Sequence, residues 1–236
     1  MSDNAVALSY TLTQKSYLKM KWFNKDKNLA LPWPATYKLR AELEIEILRR
    51  FLELVSRQRK EQETSLRKVG NEAASEGYQN QNDLEEYLES LSDEFWMLDL
   101  AQKQAERLTI VGLYRIVELG TRNMFLWIYD DDKQKIRLLH QWKKQKEILR
   151  KDLEYDLQTT RGYDAVDELR CLNNVIKHAD GIVDKNLSRF PNWKEGDEVE
   201  NLDNAFERLA PSVPPYLKDL AESLNEILVQ NDKCCP

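Results

Sequence analysis

Glycine and proline are scarce in this chain, seven of each in 236 residues, and long stretches carry neither. A β-sandwich or barrel would need turn residues every 8–12 positions or so, so all-β architectures are excluded and helices are expected. Histidine is limited to His140 and His178, far apart in the sequence. There is no H-E-x-x-H, no paired cysteine ligand set, no glycine-rich phosphate loop and no nucleophile elbow, so neither a metal nor a cofactor is expected. Cysteine amounts to Cys171, Cys234 and Cys235. A bridge between the vicinal pair would be strained, so reduced thiols and a cytoplasmic setting are the simpler reading. No apolar run is long enough for a membrane. The most apolar stretch, Leu108 to Ile128, is interrupted by Arg115, Glu118 and Arg122, one charge at each turn. The start Met-Ser-Asp-Asn shows no basic segment followed by an apolar one, so no secretory leader is expected.

What is present is globular in composition: 42% hydrophobic and 32% charged residues, with a net charge of −6. That balance gives no global attraction to nucleic acid. The charge is uneven, however. From Lys133 to Lys151 there are eight Lys or Arg against the single Glu147.

Along the chain, residues 1–34 read as an extended lead-in, with Trp22, Phe23 and Trp33 set among Lys19, Lys21, Lys25 and Lys27. The aromatics would anchor on the domain, or the segment would act as a nucleic-acid arm of alternating basic and stacking residues. A helix is expected from about Ala35 to Lys68, where Leu39, Leu43, Ile47, Phe51, Leu54 and Val55 recur at three- and four-residue steps. Its second half, from Arg57, is almost wholly polar. Gly70 to Asn82 reads as a loop. Asp83 with Glu86 opens a short helix to about Ser90, and Ser92 caps a long, largely apolar helix to about Tyr129, expected at the centre of the core. Lys133 to Leu157 reads as one further helix. Asp164 caps another, running to His178 and stopped by Gly181. An irregular region covers 184–201, and a last helix covers about 215–230.

The helix ending at His178 carries the most informative pattern. Arg170, Asn174 and His178 are spaced i, i+4, i+8, so on an α-helix they follow one face, one turn apart. Leu169, Leu172, Val175 and Ile176 form an apolar stripe pointing elsewhere. A guanidinium, an amide, the Lys177 ammonium and an imidazole within two turns suit phosphodiester binding and proton transfer. The bland alternative pairs Arg170 with Glu118 on the preceding helix and leaves His178 to serve the helix C-terminus. The basic run, with Arg137, Lys143, Lys144 and Lys146, is either a solvated face or a phosphate track leading to this helix.

Two motifs resemble the HEPN superfamily, the all-α domains of prokaryotic toxin, abortive-infection and other defence proteins. Asn174-Val-Ile-Lys177-His178-Ala-Asp-Gly181 looks like the family's N-x-x-K-H-x-x-G, and Tyr114 with Glu118 is similar to its Y-x-x-x-E. With the irregular stretch and closing helix, the resemblance covers roughly residues 93–230. It implies an up-and-down helical bundle at 93–236, with residues 35–92 as an N-terminal helical elaboration. It also implies a homodimer that pairs two such helices across a composite cleft and cleaves RNA without a metal. Arg170, Asn174 and His178 would then be catalytic, and Lys177, Lys143, Lys144, Lys146 and Arg137 would bind phosphate. The family's R-x4-6-H is replaced here. Asn173 stands where the arginine is usual, and Arg170 gives R-x7-H. The alternative is a non-catalytic HEPN-like module that regulates a protein or nucleic-acid partner by binding it.

Overall fold

The computed structural model describes residues 33–76, 81–129 and 132–233. Trp22, Phe23 and the lysines among them, the Asp130–Asp131 pair and the terminal cysteines lie outside the described residues. The fold is all-α. Seven helices are described: α1 Pro34–Glu76, α2 Gln81–Ile128, α3 Lys133–Leu138, α4 Trp142–Leu153, α5 Tyr163–His178, α6 Leu202–Leu209 and α7 Val213–Lys233. Among the described residues the sole β feature is an isolated bridge between Ile182 and Glu198. No described helix is long and apolar enough to cross a membrane.

Helices α1 and α2 have 43 and 48 residues, each about 65–70 Å long at 1.5 Å per residue. They run antiparallel. Leu48 packs where Gly112 leaves space, Ser56 exchanges hydrogen bonds with Gln102, Arg59 pairs with Asp99, and Arg67 lies over the Phe95 ring. This pairing corrects two boundaries. Gly70 lies within α1 rather than in a loop, because Ala73 and Leu91 are buried where the two helices meet. The break expected near Ser92 is absent, since 81–128 carries strong helix formers and no proline. The first half of α1 also belongs to the main core, through Ala41 and Ile45.

The pattern that announces α1 faces the other way. Ala41, Ile45 and Leu52 are buried, whereas Leu39, Leu43, Ile47, Phe51 and Leu54 are exposed. Trp33 is 82% exposed and anchors nothing. The second half of α2 is central, as its composition predicts: Ile110, Leu113, Val117, Met124 and Phe125 are buried among residues of α5, α6 and α7.

The basic run forms two helices, not one. Asp132 caps α3 by accepting from the Lys135 backbone at 2.8 Å. The chain then turns at 139–141, burying Leu139, before α4 begins. No glycine or proline marks that turn, so no local signal predicts it. Helix α4 ends at Leu153, where Glu154 takes a left-handed φ of 51°. Helix α6, not anticipated, precedes α7, whose first turn accepts Pro214 and Pro215 because helix-start amides need no intrahelical partner.

At Gly120 a β-carbon would sit 2.7 Å from Leu217 Cδ2. Leu217 is itself buried, so it has nowhere to retreat. Gly120→Val is expected to separate α2 from α7 and to cost about 1–3 kcal/mol, read as a lower urea midpoint by circular dichroism.

Candidate functional site

Helix α5 starts two residues earlier than its acidic cap suggests. Gly162, at φ 81°, occupies the N-cap position and Asp164 lies in the first turn. Glycine is the residue that reaches this φ without strain. At the other end the backbone N–H groups of Ala179 and Gly181 both donate to the Val175 carbonyl, at 3.1 and 3.2 Å, and Gly181 adopts φ 82°. Val166, Leu169, Leu172 and Val175 are fully buried and fix the rotation of the helix.

That rotation also buries two carboxylates, Asp167 and Glu168. A buried charge must be paired or it destabilises the fold, and both are. Asp167 Oδ1 accepts from Arg170 Nε at 2.8 Å, and Oδ2 accepts from Arg189 Nη2. Glu168 receives Arg208 in bidentate fashion at 2.6 and 2.8 Å, and Trp193 Nε1 at 2.6 Å. Arg189 and Trp193 belong to the irregular segment after α5, and Arg208 belongs to α6. These two side chains thus bind a helix-poor region to the bundle.

Arg170 is therefore occupied. Besides Asp167, its Nη2 lies 3.1 Å from Cys171 Sγ, and its guanidinium sits 5.4 Å from the Trp142 ring centroid. Trp142 stacks on Tyr163 with centroids 5.8 Å apart, and Lys146 Nζ donates to the Tyr163 hydroxyl at 3.3 Å. Glu118 is not its partner. That carboxylate takes Arg115 at 3.4 Å. Asn174, Lys177 and His178 are exposed, with no hydrogen-bond or ion-pair partner among the described residues. Asn173, at the position where the resemblance would put an arginine, is 2% exposed, and its Oδ1 has no partner among the described residues.

Arg170 and His178 stand two turns apart, about 12 Å along the axis. The first is held at a helix–helix junction and the second is free at the helix end. The structure does not assemble them into a close pair.

Of the basic residues, Lys135 is bound to Asp152 at 2.9 Å and Lys144 to Glu147 at 2.7 Å. Arg137 and Lys143 are exposed. Through Trp142 and Lys146, the basic helix α4 meets α5 at Arg170 and Tyr163. A shallow cleft beside this junction, between α2 and the α3–α4 turn, is lined by Tyr114, Glu118, Arg122, His140, Trp142 and Gln145. Burial, then Glu118, pushes the Tyr114 hydroxyl far above its ordinary range, so it stays protonated as a donor.

No spacing in the sequence links Asp167 and Glu168 to Arg189, Trp193 or Arg208. The available signal is an acidic pair on the otherwise apolar side of an amphipathic helix, which demands cations from elsewhere. The chain matches no family model, no curated protein and no solved structure.

Glu168→Ala removes three charge-assisted contacts. It is expected to cost about 3 kcal/mol and to raise protease sensitivity first within 184–200, read by limited proteolysis with mass mapping. Burial pushes the Cys171 thiol up, and the adjacent Arg170 offsets this only in part. In a Cys234→Ser/Cys235→Ser background, Cys171 is expected to resist Ellman's reagent at neutral pH until the protein is unfolded.

Proposed function

We propose that the protein is a HEPN-like helical module that binds RNA through the face where α4 meets α5, and that it regulates rather than cleaves. The single observation supporting this is the state of Arg170. A guanidinium held by Asp167, Cys171 and Trp142 orders the junction, and its Nε–H is committed to a carboxylate it would have to leave before its fork could close on a pentacoordinate phosphorane. Lys143 on α4, Lys177 on α5 and Arg137 on α3 are exposed, as are Asn174 and His178. Such a surface suits backbone phosphates, whose binding is governed by local positive charge and not by the overall charge of −6. The cytoplasmic setting follows the cysteine count, and a role in prokaryotic defence follows the HEPN resemblance.

A metal-independent ribonuclease is the second reading, favoured by one feature: His178 is exposed and has no partner among the described residues, so its imidazole could take the proton of a ribose 2′-hydroxyl. Arg170 would then have to leave Asp167 when substrate binds.

One set of measurements separates the two. Single-stranded RNA is expected to bind the full chain with an affinity that falls as salt rises. Lys143→Glu with Lys146→Glu is expected to weaken binding about tenfold or more and to lower the salt slope by about 1–2. In EDTA no cleavage is expected. Cleavage that His178→Ala abolishes would replace the binding reading with the ribonuclease, and no binding at low salt would remove both.

A further inference from the structure

Helix α1 carries two apolar faces. Ala41, Ile45 and Leu52 turn inward. On the opposite side, Leu39, Leu43, Ile47, Phe51 and Leu54 are 58, 59, 57, 40 and 54% exposed. Their spacing of four, four, four and three residues keeps them on one stripe over four turns. Scattered exposed leucines are ordinary, but five aligned ones are not. The stripe presents on the order of 500 Å² of apolar surface, at the upper range of what a soluble monomer leaves uncovered.

We propose that this stripe is a homodimer interface, in which a second copy lays its own α1 antiparallel on the first about a twofold axis beside Ile47. Area and charge favour a second copy. Two such stripes bury about 1,000 Å² before their flanks are counted, the threshold for a specific interface. The stripe is close to symmetric about Ile47 and, drifting about 40° per four-residue step, is inclined to the helix axis, so an antiparallel copy packs across it at an angle centred on Ile47. On one flank, Glu46 and Arg50 lie on either side of that axis. Within one chain Arg50 Nε donates to Glu46 at 2.8 Å, and with a side chain 75% exposed its two terminal amino groups remain open. The twofold sets each Arg50 across from the second copy's Glu46, linking four charges of alternating sign at the edge of the apolar seam. This interface uses no residue of the α5 face, so it stands or falls independently of RNA binding.

The test uses the full chain in sedimentation velocity over a range of concentrations. A concentration-dependent dimer is expected. Ile47→Arg is expected to raise its dissociation constant about 100-fold or more, with unchanged helicity, and with an unchanged melting temperature at dilutions where both chains are monomeric, because the side chain is exposed in the monomer. Glu46→Arg is expected to weaken the dimer, and Glu46→Arg combined with Arg50→Glu to restore most of the loss. A wild-type chain that stays monomeric up to its solubility limit would overturn the proposal. So would a dimer indifferent to Ile47→Arg. A monomer that dimerises only after removal of residues 1–32 would assign the stripe to the chain's own N-terminal segment, and would equally overturn it.

Discussion

Two acids that cannot reach water determine how the second half of this molecule is arranged. Asp167 and Glu168 sit on the buried side of α5, where an unpaired carboxylate would be untenable. Each therefore takes a cation from the chain that follows α5, Arg189 of the irregular segment for Asp167 and Arg208 of α6 for Glu168. Arg189 and Trp193 bring in the loop that follows α5, and Arg208 brings in α6. Among the described residues, the 184–200 stretch is also anchored by buried Leu187 and Val199 and organised by turns, a few backbone hydrogen bonds to Gly181 and Val183, and one isolated bridge.

The same pairing decides what α5 can offer to a ligand. A helix face is a geometric statement: residues four apart point one way. Whether a side chain on that face is available is an energetic one, settled by what else lies within reach. Arg170 shares its face with Asn174 and His178, but an acid three residues earlier and an aromatic ring on α4 claim it first. The groups on this face that remain in contact with water lie on the C-terminal half of the helix and on α4.

The helices themselves were legible in the sequence because periodic apolar residues and a lack of breakers are local properties. The all-α class, the central role of the second half of α2, the end of α5 and the irregular stretch after it all follow from such local signals. The misreadings share one cause. The fusion of the expected short helix into α2, the inclusion of Gly70 in α1 and the turn at 139–141 depend on what packs against each segment, and no local residue encodes that. The direction of α1 is the clearest instance. Periodicity identifies an amphipathic stripe but carries no sign, and here the larger side chains line the outer side while alanine and isoleucine take the inner one. In the site, Arg170, Asn174 and His178 could be placed on a helix from spacing alone. The Asp167–Arg189 and Glu168–Arg208 pairs could not, because they join residues 22 and 40 positions apart.

The paired helices α1 and α2 also extend past the bundle. Ala73 and Leu91 are buried there but stand apart from the main core cluster, and much of the remaining surface along 57–76 is charged. Such a projection behaves as a cantilever: rooted in a dense interior at one end and held only by its own two strands of helix toward the other. Its resistance to opening must then decline from root to tip. The outer turns can unwind and re-form while the bundle remains intact, so the molecule has a graded stability profile instead of a single all-or-none one.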